Sequence, residues 1–103
     1  MTQRSAFVLR VRPEKIDDYV AAHASVWPEM LAALRGAGIR NYTIFRAGNQ
    51  VFGYFETDEL DATEAYLAQQ EVCTRWQDHM AALLEERVPD AGPPQLEEIF
   101  RLE

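Results

Sequence analysis

The stretch IRNYTIFRAGNQVFGYFE, residues 39–56, decides the fold. Its two halves, Ile39 to Arg46 and Val51 to Glu56, are rich in the β-branched and aromatic residues that favour strands. Between them, Ala47-Gly48-Asn49-Gln50 has the small and polar residues of a tight turn. This stretch therefore predicts a β-hairpin in the middle of the chain.

The residues before the hairpin predict a strand and then a helix. Ala6 to Val11 has the pattern of a strand, and Arg12-Pro13 favours a helix start because proline suits the first helical turn. From Ile16 to Leu34, apolar residues recur three and four positions apart, as on the buried face of a helix. Pro28 should kink or split this helix because its nitrogen carries no hydrogen.

The residues after the hairpin repeat this order in reverse. Ala62 to Leu84 predicts a second helix, with a break near Gln69 to Cys73. Val88 to Pro94 is expected to be a proline-rich loop, and Leu96 to Leu102 a final short strand. The element order is therefore βαββαβ, the split-βαβ pattern of ferredoxin-like α+β folds. We expect residues 1–103 to form one such domain.

Both faces of the predicted sheet carry large apolar residues. Ile44 and Phe45 point to opposite faces because side chains alternate along a strand, and so do Phe52 and Phe55. The two helices of this fold cover only one face. The sequence therefore predicts a homodimer in which a second copy covers the other face, so that the two sheets enclose a barrel.

Charge and composition exclude several classes of partner. The formal net charge of −7 repels nucleic-acid phosphates, so no nucleic acid is expected. No apolar stretch approaches the roughly 20 residues of a membrane helix, and the first residues run directly into a strand. We therefore expect no membrane association and a cytoplasmic location. Cys73 is the only cysteine of the sequence, so no internal disulfide can form. We expect Cys73 to pack in a helix.

No cofactor is expected. The two histidines, His23 and His79, do not stand in an HxxxH or HExxH spacing that would bind a metal. The glycine-rich patterns that hold dinucleotides or nucleoside triphosphates are absent from the sequence as well. The sequence therefore predicts chemistry that needs neither a metal nor a bound nucleotide.

His23 is the strongest candidate for proton transfer, because imidazole titrates near neutral pH. It follows Tyr19 by four residues and precedes Trp27 by four, so the three side chains are expected on one helix face. Tyr42 and Trp76 add a phenol and an aromatic plate. Aromatic faces with hydroxyl donors and one histidine are typical of a carbohydrate site. Packing in the core, with His23 bonded to a carbonyl, explains the same residues without any function.

Four segments resemble a known family: YxxxHxxxWPEM from residue 19 to 30, GIxNYxIF from 38 to 45, Arg75-Trp76 followed by Met80, and Glu98-Ile99-Phe100 with Leu102-Glu103. Through these segments, which span nearly the whole chain, the sequence resembles the L-rhamnose mutarotase family. The resemblance implies a ferredoxin-like fold, a dimer that can exchange its C-terminal strand, and cofactor-free interconversion of the anomers of a 6-deoxysugar.

The resemblance also implies site residues. His23 corresponds to the family's proton donor, and Tyr19, Tyr42 and Trp76 correspond to positions that contact the sugar. Gln77 stands where the family usually has a second tryptophan, which replaces an apolar plate by an amide. The expected mechanism uses His23 as acid/base with Tyr19 or a water as its partner. Tyr42 and Gln77 would bind hydroxyls, and Trp76 the apolar face of the sugar.

Two other functions fit a small dimeric α+β barrel. One is a cofactor-independent monooxygenase acting on an electron-rich aromatic substrate, which would need a large apolar cavity. The other is a non-catalytic module that binds a sugar without turnover. An anomer-exchange measurement separates these readings, because only a mutarotase accelerates the exchange.

Overall fold

The computed structural model describes residues 1–89 and 92–103 as an antiparallel three-stranded sheet with helices on one face. The elements are β1 (Gln3–Arg10), a 3-10 turn (Pro13–Lys15), α1 (Ile16–Ala24), α2 (Pro28–Gly36), β2 (Arg40–Ala47), β3 (Gln50–Thr57), α3 (Leu60–Ala68) and α4 (Glu71–Ala81). The α+β class and the ferredoxin-like arrangement are those the sequence predicts. Among the described helices, none has the length and apolarity to cross a bilayer.

The predicted hairpin forms, and β3 is the central strand of the order β1-β3-β2. Ala47 pairs with Gln50, so Gly48 and Asn49 are the only loop residues. Gly48 has a φ of 62° whereas Asn49 has a negative φ, the pattern of a type II′ turn that places glycine first. The turn chemistry read from the sequence is therefore sufficient to close the hairpin.

Both predicted helices are split in two. Pro28 is the first residue of α2 and ends any continuation from α1, which stops at Ala24. Trp27 sits between the two helices, and its carbonyl accepts the amide of Leu31 at 3.0 Å, which closes the first turn of α2. The second break lies at Gln69 and Gln70, between α3 and α4. The sequence predicted both breaks.

Alternation along the strands separates a buried face from an open one. Phe7, Val51 and Phe55 are buried beneath the helices. Val8, Phe52 and Phe45 lie opposite one another on the other face, in register across all three strands. Their exposed fractions are 37%, 39% and 64%. The expectation that both faces are apolar holds in the structure.

The predicted final strand is wrong for the single chain. Leu96 to Leu102 forms no ladder, and Leu96 alone joins the sheet edge, donating its amide to the carbonyl of Ala6 at 2.8 Å. Ile99 and Phe100 are 87% and 78% exposed. A strand needs a partner for its backbone and a surface for its apolar side chains, and beyond Leu96 this segment contacts neither.

The loop expected over Val88 to Pro94 lies partly outside the described residues, which do not include Asp90 and Ala91. Val88 and Pro89 before this gap, and Gly92 to Pro94 after it, belong to no helix or strand. Within that limit, the segment is the loop that the sequence predicted.

The contact of β1 with β3 provides a test of the packing. Gly53 lies opposite Phe7, and a Cβ at Gly53 would overlap the Phe7 ring, which is itself buried. We expect Gly53→Ala to lower the free energy of unfolding by about 3 kcal/mol, because the added methyl group must displace a buried aromatic ring. Urea unfolding monitored by circular dichroism measures this loss.

Gly36→Ala is the matched control. A Cβ there would come within 2.5 Å of the Tyr66 hydroxyl, which is the far end of a partly exposed ring that can swing away. The control should change the free energy of unfolding by less than about 1 kcal/mol. Equal losses in both variants would contradict the packing of Phe7 against Gly53.

Candidate functional site

A cavity of about 400 Å³ lies between the helices and the buried face of the sheet. This volume falls within the range of roughly 300–1,000 Å³ that is typical of small-molecule sites. Most of the wall is apolar and comes from α2, β2, β3, α3 and α4. Its main contributors are Met30, Leu34, Ile44, Phe55, Leu67 and Trp76. Of the described wall residues, His23, Tyr42, Gln77 and Gln95 have side chains that end in hydrogen-bonding groups.

Four of the five predicted site residues therefore meet at one cavity, although they come from α1, β2 and α4. Tyr19 is the exception, since it is buried behind His23 and is not part of the wall. Its ring stacks on the imidazole, with centroids 4.3 Å apart and planes inclined by 31°. The predicted spacing of Tyr19 and His23 on one helix face is confirmed, but Tyr19 supports the histidine instead of lining the cavity.

One hydrogen bond determines which nitrogen of His23 carries its proton. Nδ1 lies 2.9 Å from the backbone carbonyl oxygen of Tyr19. A carbonyl only accepts, so Nδ1 must be the donor. In the neutral ring the proton is therefore on Nδ1, and Nε2 keeps an unshared electron pair. The carbonyl contact expected of a core histidine is therefore present, in a residue that also lines the cavity.

Burial favours the neutral form of this imidazole. The loss of water around His23 lowers its pKa below the ordinary value of 6.5, and the bond to the Tyr19 carbonyl opposes this only in part. Near neutral pH the ring is therefore uncharged and able to accept a proton at Nε2. A general base needs this state before it acts.

The two phenols near His23 remain protonated. Burial raises the pKa of Tyr19 to about 12. Burial also raises the pKa of Tyr42, and the nearby Tyr19 phenol adds to the effect. The Tyr42 residue is 37% exposed, but the hydroxyl is its enclosed end. Both groups are thus neutral hydrogen-bonding partners and not anionic bases.

Trp76 joins the site to the helix core. Its ring packs edge-on against His23 at 5.5 Å and against Trp27 at 5.0 Å. Two other side chains of α4 contact the Trp27 ring. The Arg75 Cζ lies 5.8 Å from the ring centroid, and the His79 and Trp27 ring centroids are 5.5 Å apart. With only 6% of its surface exposed, Trp76 is a core residue and also lines the cavity. Core packing and a place in the cavity wall therefore occur together in Trp76, and its contact with a sugar stays a prediction.

Gln95 is a wall residue that sequence reasoning missed. It lies in the segment after α4, with Gly92 and Pro93 also lining the cavity. Its Oε1 accepts a hydrogen bond from the hydroxyl of Ser5 in β1, 90 residues away. No local pattern could have indicated this contact, because it depends on where the end of the chain lies against the sheet.

Cys73, the only cysteine of the sequence, is buried in α4 as expected and also borders the cavity. Within the described residues, no three His, Cys, Asp or Glu side chains are placed to share a metal ion.

Comparisons with known proteins agree along nearly the whole chain. A family model described as L-rhamnose mutarotase matches residues 4–102. An L-rhamnose mutarotase of Pectobacterium carotovorum is 38% identical, with 97% of this chain and 98% of that protein covered. One from Shigella flexneri is 34% identical, covering 96% and 97%. The crystal structure of an L-rhamnose mutarotase from Formosa agariphila superimposes with a TM-score of 0.79 at 29% identity, covering 98% and 99%.

The protonation state of His23 can be measured directly. We expect ¹⁵N NMR of the imidazole to show a protonated Nδ1 and an unprotonated Nε2 at neutral pH, with a titration midpoint below 6.5. The reason is that burial disfavours the charged ring and the Tyr19 carbonyl holds the Nδ1 proton. His23→Gln assigns the signals by removing one set. A midpoint above 6.5, or a proton on Nε2, would contradict the geometry.

Proposed function

The chain belongs to the L-rhamnose mutarotase family, and from this we propose that it is an isomerase that interconverts the α and β anomers of L-rhamnose and related 6-deoxysugars. The observation that carries the proposal is the neutral imidazole of His23. Its unprotonated Nε2 belongs to a ring that lines a cavity of about 400 Å³ with mainly apolar walls. That cavity is large enough for one monosaccharide.

Mutarotation is proton transfer with ring opening. A base removes the proton of the anomeric hydroxyl while an acid protonates the ring oxygen, and the bond between C1 and the ring oxygen breaks to leave an open-chain aldehyde. Rotation about C1–C2 presents the other face of the carbonyl, and reclosure returns both protons. No electrons are exchanged with another molecule. Acid–base assistance of this kind typically contributes about 100- to 10,000-fold.

In our proposal His23 supplies the base and then the acid. Nε2 accepts the anomeric proton, and the resulting imidazolium is stabilised by its Nδ1–H bond to the Tyr19 carbonyl. Because burial lowers the pKa of His23, this imidazolium returns its proton readily in the closing step. The stacked Tyr19 ring holds the imidazole in place.

The remaining groups orient the sugar. Tyr42 offers a neutral hydroxyl in the wall and binds a sugar hydroxyl, as Gln77 does from α4. Trp76 supplies an aromatic surface, and the aliphatic wall suits the methyl group of a 6-deoxysugar. For the complementary proton we favour a bound water over Tyr19, because the Tyr19 side chain does not reach the wall.

A cytoplasmic location stays a prediction, tested by fractionating cells that produce the tagged chain.

The central test is anomer exchange. We expect the wild-type chain to accelerate L-rhamnose exchange in saturation-transfer NMR, and His23→Ala to lose about 100-fold or more of that acceleration, because no other imidazole lines the cavity. The variant should keep the circular dichroism spectrum of the wild type.

His79→Gln is the control, because His79 is the other histidine and is exposed on α4; it should retain exchange. Unchanged exchange in His23→Ala would refute the assignment of the base. Thermal stabilisation of the wild type by the sugar, without accelerated exchange, would indicate a binding module. If the sugar produced neither stabilisation nor exchange, the monooxygenase alternative would remain.

We propose that the functional molecule is a homodimer. Val8, Phe52 and Phe45 form an exposed apolar row on the open sheet face, with one residue from each of the three strands. The C-terminal segment beyond Leu96 also presents exposed apolar residues, notably Ile99. A second copy of the sheet and its C-terminal segment would cover both surfaces, and exchange of that segment would supply the missing fourth strand.

A charge placed in this row tests the dimer. We expect the wild-type chain to sediment as a dimer and Phe45→Glu to sediment as a monomer, because a carboxylate would lose its water between the sheets. Analytical ultracentrifugation at micromolar concentration measures both. Val20→Glu, which adds the same charge at an exposed position of α1, should leave the dimer intact. A monomeric wild type, or a dimeric Phe45→Glu, would contradict the proposal.

A further inference from the structure

We propose that Gln95 is a specificity-determining residue, positioned by Ser5, that donates a hydrogen bond to one hydroxyl of the sugar away from the anomeric carbon. The inference rests on the proposed function, because it names a contact within that same cavity. It concerns the segment after α4, which contributes Gly92, Pro93 and Gln95 to the wall.

Two hydrogen bonds to β1 hold this segment in place. The amide of Leu96 donates to the carbonyl of Ala6 at 2.8 Å. One residue earlier in β1 and in the C-terminal segment, the hydroxyl of Ser5 donates to Oε1 of Gln95. A backbone bond and a side-chain bond on neighbouring residues fix both the position of the segment and the direction of the Gln95 side chain.

Ser5 enforces this arrangement because it is buried. Only 1% of its surface is exposed, and Gln95 is the partner of its hydroxyl. If the Gln95 side chain turned away, a hydroxyl enclosed by protein would lose its hydrogen bond, which is unfavourable. The bond also commits Oε1, which leaves the Nε2 amino group as the free end of the carboxamide.

The free end is therefore a donor at the cavity wall. Among the described residues, the other wall side chains with strong hydrogen-bonding groups are His23, Tyr42, Gln77 and the indole N–H of Trp76. His23 is occupied by the anomeric hydroxyl in the proposed reaction. Gln95 lines the cavity from the segment after α4, and its amino group would donate to a hydroxyl oxygen at C2, C3 or C4 of the pyranose. Gln95 is exposed on its solvent side, so the loss of a matching hydroxyl costs the difference between a sugar contact and a water contact, which is a moderate discrimination.

The experiment compares wild type and Gln95→Met in anomer exchange of L-rhamnose and its 2-, 3- and 4-deoxy analogues. Methionine keeps the length of the side chain and removes both amide groups. For L-rhamnose, we expect Gln95→Met to raise KM about 10-fold with kcat changed by less than about threefold, since the lost contact is remote from the reacting atoms. One deoxy analogue should show the same KM with both proteins.

Ser5→Ala tests the positioning. It should also raise KM, and adding it to Gln95→Met should raise KM no further, because both changes remove the same contact. A merely structural role of Ser5 would give additive effects in the double variant. Gln69→Met, at an exposed glutamine after α3, is the control and should keep wild-type KM and kcat.

The outcomes separate this inference from the function on which it rests. A wild-type chain that accelerates no anomer exchange overturns both. A wild-type chain that is active, with an unchanged KM in Gln95→Met, overturns the role of Gln95 alone. An equal rise in KM for L-rhamnose and for all three analogues also overturns it, because the variant would then have altered the shape of the cavity and not one hydrogen bond.

Discussion

The structure depends on the interruption of its first helix at Pro28. A continuous helix over residues 16–36 would be about 31 Å long, which exceeds the roughly 27 Å of an eight-residue strand beneath it. Pro28 prevents this because it has no amide hydrogen to continue the ladder. The chain instead forms two short helices, with Trp27 between them. One helix carries His23, and the other supplies aliphatic wall from Met30 to Leu34.

His23 combines packing against aromatic rings with a place in the cavity wall. His23 lies one residue before the end of α1, with Tyr19 stacked on one side and the edge of Trp76 against it. Its Nδ1 is satisfied within its own helix, so packing costs it no hydrogen bond. Nε2 has no such partner in the helix. Packing is therefore compatible with a place in the cavity wall, because the helix satisfies one nitrogen of the ring and not the other.

The sheet has one face that the helices do not cover and one edge that lacks the expected fourth strand. The single chain leaves one sheet face uncovered and forms three strands of a four-stranded pattern. The same C-terminal segment that fails to form a strand begins beside β1, where Ser5 and Gln95 hold it against the cavity. The wall of the cavity and the edge of the sheet therefore share one piece of chain. In the proposed dimer, assembly and substrate binding would be physically connected through this segment.

Local chemistry in the sequence determined the features that depend on neighbouring residues. The Gly48 turn, the break at Pro28 and the common face of Tyr19 and His23 follow from backbone rules or helical spacing, and the structure contains all three. Residue type suggested Tyr42 and Trp76, and the resemblance to a family, carried by short motifs, assigned them a sugar contact and added Gln77.

Only the tertiary structure decided the features that join distant parts of the chain. It placed Tyr19 behind the wall and Tyr42 within it, and it brought Gln95 to the cavity through a bond to Ser5. It also showed that residues after Leu96 do not form a strand within one chain. The physical reason is the same in each case. A strand edge, a buried hydroxyl or a cavity wall is completed by a group whose distance is set by packing, and sequence spacing carries no information about that distance.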